Sequence, residues 1–263
     1  MLGIPTIFYK LLVIGILVYF GLGLLLFLLQ RKFVYYPDFP VRRNFGDCPE
    51  LRSVERVSYK DARFYYKHIG ESVVVMYNGN AGNSCDRAIF AEVFEKIGYS
   101  YLLVEYPGYA NDSTGGPSKK RILQSVGTVQ EFLGKKKFLK VALVGESLGV
   151  GVAAYHASTD AVERLILISP HYELSDMAGW MGRIYPISLL MRENYTPGLW
   201  LKDVKASMLF VYASDDEIIP RWSMEKLYNS IPGQKTQVEI SGATHNTMYE
   251  HPEFFTAIEK FLK

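Results

Sequence analysis

Cysteine is scarce in this chain. The only two in 263 residues are Cys48 and Cys85, enough for one disulfide or none, so they leave the redox compartment open. An excess of one charge is also missing: 29 Lys and Arg face 27 Asp and Glu, for a net +2. That excludes the basic surplus of a nucleic-acid binder, although cations beside a membrane can touch anionic headgroups. There is no internal repeat, no low-complexity tract and no long run of like charge.

A charged residue is absent from Leu11 to Leu29. As a helix this run spans roughly 28 Å, close to the hydrocarbon thickness of a bilayer. A cleaved signal peptide has a shorter apolar core and a small-residue cleavage site. Here the run ends instead in Gln30-Arg31-Lys32 and Phe33-Val34-Tyr35-Tyr36, cations and aromatics that suit a headgroup boundary. Residues 1–36 therefore read as an uncleaved single-pass anchor, and a core helix would carry a polar face. One cation precedes the span, Lys10, and four come after it: Arg31, Lys32, Arg42 and Arg43. By the positive-inside rule the remainder lies on the cytoplasmic side. Residues 37–48, with two prolines and paired arginines, read as a linker. Residues 49–263 are of a size to form one domain with a substantial core.

Within that domain, short apolar runs alternate with helical patterns. Val54–Tyr59 and Arg63–Ile69, parted by Lys60-Asp61-Ala62, predict an antiparallel hairpin at a sheet edge. Val73–Tyr77, Tyr101–Glu105, Val141–Val144 and Leu165–Ser169 predict buried parallel strands, and Met208–Ala213 and Thr236–Ile240 two more. Ala88–Ile97, Ile122–Leu133 and Glu253–Leu262 predict helices. The sum is a mostly parallel eight-stranded sheet with helices on both faces, in which ligands bind beyond the carboxyl ends of the strands.

The pentad Gly145-Glu146-Ser147-Leu148-Gly149 lies between the strand Val141–Val144 and a small-residue helical stretch, Val150–Ala157. Strand, sharp turn and helix are the setting of a nucleophile elbow, whose glycines let strand and helix approach closely. Such pentads also arise by chance, so the surroundings decide. The loop after Met208–Ala213 offers Asp215, Asp216 and Glu217, and the loop after Thr236–Ile240 offers His245. Serine, acid, histidine is the chain order hydrolases of this build use. A serine hydroxyl needs a base to remove its proton, imidazole serves as base and then acid, and a carboxylate fixes the imidazole tautomer. Asp216, four residues ahead of Pro220, is the expected acid, with Asp215 as a turn residue. His68, His156 and His251 sit on an edge strand, inside a helix and at a helix start, and His171 is assigned no role. The oxyanion would be held by the N–H of Leu148 and by the main chain of Asn80, in the loop Asn78-Gly79-Asn80-Ala81-Gly82-Asn83.

Those loops, with Glu105-Tyr-Pro-Gly-Tyr-Ala-Asn-Asp-Ser-Thr-Gly-Gly-Pro-Ser118, resemble the membrane-anchored branch of the α/β-hydrolase superfamily. Its members are serine hydrolases with a serine-aminopeptidase-like domain, and include protein depalmitoylases of animals. The resemblance covers nearly the whole chain. It departs at Asn78, where members usually have histidine, and at Pro107 and Ala110, where they have arginine and glycine.

Residues 171–202, rich in Met, Trp, Tyr and Leu, are too few for a cap domain and too apolar for a plain loop. They predict a short lid over an acyl-chain pocket, or else a helix packed on the sheet. The expectation is a membrane-anchored serine esterase or thioesterase with catalytic Ser147, Asp216 and His245. It acts on an acyl ester, lipid or acylated protein, and no metal, organic cofactor or nucleic acid is implied. The alternatives are an amidase or peptidase with the same triad, and a non-catalytic tethered binding module.

Overall fold

A computed structural model describes residues 4–37, 39 and 43–263. Asp38, Pro40, Val41 and Arg42, part of the expected linker, lie outside the described residues.

Helix α1, Ile4–Val34, is a single 31-residue helix. The most apolar 18-residue window within Ile7–Val34 has a mean hydropathy of 2.8 and is not buried against the rest of the protein. It is long and apolar enough to cross a membrane. At about 46 Å it is longer than the hydrocarbon layer of a bilayer is thick.

The sheet has eight strands: β1 Glu55–Tyr59, β2 Ala62–Lys67, β3 Ser72–Tyr77, β4 Ser100–Glu105, β5 Lys140–Glu146, β6 Arg164–Ile168, β7 Ser207–Ala213 and β8 Lys235–Ile240. Their order is β1-β2-β4-β3-β5-β6-β7-β8. The β1–β2 hairpin and the β2–β4 pair are antiparallel, and every other pair is parallel. Alternation along β3 divides the core. Val73, Val75 and Tyr77 enter one apolar layer, with α3 (Lys119–Lys136), α4 (Leu148–Thr159) and α8 (Arg221–Ser230). Val74 and Met76 enter the other, with α2 (Ala88–Lys96) and α9 (Pro252–Leu262). A strand's period of two produces this separation, and burial on both faces explains why the parallel strands read as continuous apolar runs.

Two helices differ from the sequence reading. Helix α3 begins three residues before the periodic stretch because the Ser118 hydroxyl caps it, accepting from the Arg121 N–H at 3.4 Å. Helix α8 has no counterpart in the apolar pattern, since only Ser223, Met224 and Leu227 of its ten residues are buried, too few to impose one.

The strand order fixes where loops meet. From β3 the chain goes to one side, β4, and then returns to the other, β5, leaving a switch point between β3 and β5 at their carboxyl ends. The loops starting at Asn78 and Ser147 therefore adjoin. At the other end β7 pairs with β8, Ala213 opposite Ile240, which brings the loops after them together.

Candidate active site

Ser147 joins β5 to α4 with φ 51° and ψ −113°, a region that L residues avoid and that is held at cost where the surroundings demand it. Its N–H donates to the Ile168 carbonyl at 2.8 Å and its carbonyl accepts from Val150 at 3.0 Å. The glycines of the pentad are required by contact. A Cβ on Gly149 would stand 2.1 Å from the Tyr77 carbonyl oxygen, and one on Gly145 would stand 2.5 Å from that of Gly149.

The residue before the serine has a partner that the sequence does not reveal. Arg87 grips the Glu146 carboxylate through Nε and, at 2.7 Å, through Nη2. Burial opposes the guanidinium charge, but Glu146 outweighs it and raises the Arg87 pKa. Gly79 lies against this pair: a Cβ there would sit 3.3 Å from Glu146 Oε1 and 3.6 Å from Ser147 Cβ. No spacing rule links positions 87 and 146, so only the fold displays the pair.

The Asn78–Asn83 loop is braced from two directions. Tyr106 Oη donates to the Asn78 carbonyl at 2.6 Å, and Tyr109 Oη to that of Asn80 at 2.8 Å. The Asn80 carbonyl also accepts from the Tyr36 N–H at 2.9 Å. Asn83 caps the turn Ser84–Arg87 by accepting from the Cys85 N–H at 3.0 Å. Ala110 has φ 46°, a left-handed conformation that glycine adopts more readily than a residue with a Cβ. Leu148 is the first residue of α4, so its N–H is a donor that a helix start leaves without an intrahelical acceptor.

Asp216 and His245 meet: Nδ1 lies 3.0 Å and 2.9 Å from the two carboxylate oxygens. Asp216 Oδ1 also accepts from the N–H groups of Ile218 and Ile219, at 2.9 and 2.8 Å. Burial raises the Asp216 pKa, but His245 and these amides outweigh it, and the net shift is downward. A carboxylate that stays ionised holds the imidazole with Nδ1 protonated and Nε2 free to accept a proton. Asp215 is directed elsewhere, accepting from Ser214 Oγ at 3.0 Å, while Glu217 accepts from the His245 N–H at 3.1 Å.

The other histidines are placed as structure. His156 is buried beside Tyr77 Oη, Nδ1 at 2.7 Å, and burial pushes its pKa down to about 3. His68 lies 3.3 Å from Tyr66 Oη, and His251 lies 3.7 Å from Glu253. His171 is wholly buried, and burial together with the charge of His245 holds its pKa at about 3, so it stays a neutral neighbour.

Ser147, Leu148 and Asn80 all border a cavity of about 530 Å³, within the range of pockets that take one small ligand. Its other walls are mostly apolar residues of the segment after β6, of the acid loop (Ile218 and Ile219) and, unforeseen, of α1. That segment is a chain of short helical pieces: Leu174–Ala178, α5 Met181–Ile184, α6 Ile187–Leu190 and α7 Pro197–Trp200. Four-residue helices give no periodicity to read, which is why the sequence shows an apolar segment but not its form.

Among the described residues, Cys48, Glu50 and Cys85 are the one group with metal-ligand spacing. Both sulfurs are engaged in a Cys48–Cys85 disulfide, so the group is not available to a metal in this form.

No family model matches the chain. It is similar to an uncharacterised protein of Mycobacterium tuberculosis, 27% identical over 95% of this chain and 94% of that protein. An uncharacterised membrane protein of Saccharomyces cerevisiae is 26% identical, covering 89% of this chain and 88% of its own. The lysophosphatidylserine lipase ABHD12 of Gallus gallus is 26% identical over 77% of this chain and 62% of its own length. Among solved structures, an esterase of Pyrococcus furiosus superposes with a TM-score of 0.66 at 17% identity, covering 87% of this chain and 97% of that one. A monoacylglycerol lipase of Paleococcus ferrophilus gives 0.58 at 20%, covering 76% and 98%.

Proposed function

We propose, from the premise that this chain has the α/β-hydrolase fold, that it is a membrane-anchored serine hydrolase cleaving carboxylic esters or thioesters through an acyl-enzyme on Ser147. The carrying observation is a strained serine that borders an apolar cavity, with an Asp216–His245 pair at the carboxyl ends of strands in the same sheet. In the proposed reaction His245 Nε2 removes the Ser147 proton as Oγ attacks the acyl carbon. The N–H groups of Leu148 and Asn80 take the oxyanion, and His245 then protonates the departing alcohol or thiol. Water, activated by the same imidazole, releases the acid. Apolar walls favour acyl groups of lipid character, and the lysophosphatidylserine lipase to which the chain is similar is in keeping with ester chemistry.

The test is labelling by a fluorophosphonate probe, which reacts only with an activated serine, together with turnover of p-nitrophenyl esters. Both are expected to vanish in Ser147→Ala. Full ester turnover by that variant would overturn the mechanism.

Two signals bear on which side of the membrane the domain occupies. One cation before the span, Lys10, against four after it, Arg31, Lys32, Arg42 and Arg43, favours the cytoplasm. The Cys48–Cys85 disulfide favours an oxidising compartment. We give the disulfide more weight, because a cytosolic thiol pair is kept reduced whereas charge bias is a statistical preference. Protease added to intact cells is then expected to digest the domain, and protection would return it to the cytoplasm.

A further inference from the structure

We infer that α1 is a wall of the acyl site as well as an anchor: helix and lid enclose a cleft that receives one acyl chain directly from the bilayer. The inference rests on Ser147 being the nucleophile and α1 the membrane span.

The first observation is a stripe. Gly23, Leu26, Phe27, Gln30 and Val34 of α1 all border the cavity that reaches Ser147. Spacings of three and four residues put them on one face of the helix. Most other α1 side chains, such as Leu17, Phe20, Leu24 and Leu28, are exposed. One face of the span thus serves the site and the rest is left for lipid.

The second observation is how far along α1 the lid reaches. Tyr19 Oη donates to the Ile184 carbonyl at 2.8 Å, and Tyr185 Oη donates back to the Tyr19 carbonyl at 2.9 Å. The two rings stack at 4.7 Å. Gly23 allows this approach, since a Cβ there would stand 2.9 Å from the Tyr185 ring. Tyr19 lies about 18 Å along the helix axis from Arg31. The lid therefore meets α1 inside its apolar stretch, not at its charged end, and even a tilted helix carries that contact below the headgroups.

The third observation identifies what covers the lid. Its outward side chains include Trp180, 69% exposed, and Leu189, 85% exposed, with Ile184 also exposed. In water they would expose apolar surface flanking the place where Ile184 and Tyr185 meet α1. In a bilayer this surface and α1 are solvated by the same hydrocarbon. At the opposite end the α1–lid junction turns polar: Glu193 accepts from Arg31 Nε and from Tyr35 Oη, each at 2.8 Å. The cleft thus borders α1 from Gly23, deep in the apolar stretch, to Gln30 and Tyr36 beside its charged end, and takes in Ser147, the gradient of an amphiphile lying with its ester at the interface.

The experiment uses the full chain reconstituted in phosphatidylcholine vesicles, with p-nitrophenyl butyrate and palmitate as substrates. Leu26→Trp, which fills the cleft from α1, is expected to lower the palmitate-to-butyrate ratio of kcat/KM by about tenfold or more. Leu12→Trp, away from the cavity, leaves that ratio unchanged. A ratio unaltered by Leu26→Trp, or lowered equally by Leu12→Trp, overturns the inference. Should Leu26→Trp fail to fold, a second measurement decides. With Trp200→Phe and Trp222→Phe leaving Trp180 as the sole tryptophan, lipids brominated on the acyl chain are expected to quench its fluorescence, and absence of quenching overturns the inference. Fluorophosphonate labelling of the wild type separates the two readings. Labelling with no chain-length effect sinks the α1 wall alone, and no labelling sinks the hydrolase reading beneath it.

Discussion

The N–H of Tyr36 donates to the carbonyl of Asn80 at 2.9 Å, so the chain leaving the apolar helix is hydrogen-bonded into the loop proposed to hold the oxyanion. Tyr36 and Ala81 also form an isolated parallel bridge. The apolar helix and the candidate site are thus joined, secured a turn earlier by Glu193, which is 4% exposed. Besides Arg31 and Tyr35, its carboxylate accepts from the Lys119 N–H at 2.6 Å, and its own N–H donates to Gln30 Oε1 at 3.1 Å.

Glu193→Ala is therefore expected to destabilise the protein by about 2–3 kcal/mol at pH 7, because buried donors lose their acceptor. Burial raises the Glu193 pKa, but the Lys119 amide, Arg31 and Tyr35 outweigh it and hold it below the usual value. A depressed folded pKa contributes stability above the unfolded value of about 4.3, and loses it as pH falls through the folded value. The gap between wild type and variant in thermal unfolding should narrow from pH 7 to pH 3; a constant gap would mean that the carboxylate charge is irrelevant.

Asp216→Asn should reduce kcat on an ester by about 10⁴-fold, since an amide in that place favours the wrong imidazole tautomer. Asp215→Asn, remote from the ring, should cost far less. Equal losses in steady-state kinetics would reassign the acid.

Two glycine substitutions have opposite expected signs. Gly149→Ala forces a Cβ to 2.1 Å from the Tyr77 carbonyl oxygen and should cost at least about 3 kcal/mol. Gly127→Ala, exposed within α3 and with nothing within 4 Å of its Cβ, should stabilise by about 1 kcal/mol. Denaturant unfolding measures both, and a neutral Gly149→Ala would contradict the close strand–helix contact.

Glu105 links stability to pH in the sense opposite to Glu193. Burial drives its pKa up to about 7 despite donors from the Ser84 N–H, at 3.2 Å, and hydroxyl, at 2.6 Å. The folded state holds a proton that the unfolded state has lost, so stability declines from the ordinary carboxylate range up to about pH 7 and is level above it. Glu105→Gln should remove this slope. An unchanged slope in unfolding free energy between pH 5 and 7 would assign it to another group.

Much of the fold is legible in the sequence because burial imposes patterns on it. All eight strands lie within about two residues of their apolar runs, and the long parallel ones are the plainest because both faces are buried. The pentad, the acid loop and the histidine loop are visible as types of residue placed after strands. Hidden are features that join distant positions or that lack a period. Arg87 and Glu146, Glu193 with Gln30, Arg31 and Tyr35, and the four-residue helices after β6 belong to these.

The sequence by itself determined the layered sheet, the apolar helix and the candidate serine, acid and histidine, since each arises from local composition and periodicity. Tertiary structure set the expected Asp216 against His245 and turned Asp215 away, and it alone decided that Cys48 meets Cys85 and that one face of the apolar helix borders the cavity at Ser147. Those outcomes depend on how the ends of strands and helices converge in space, and a hydrocarbon stripe facing lipid is composed of the same residues as one facing a pocket.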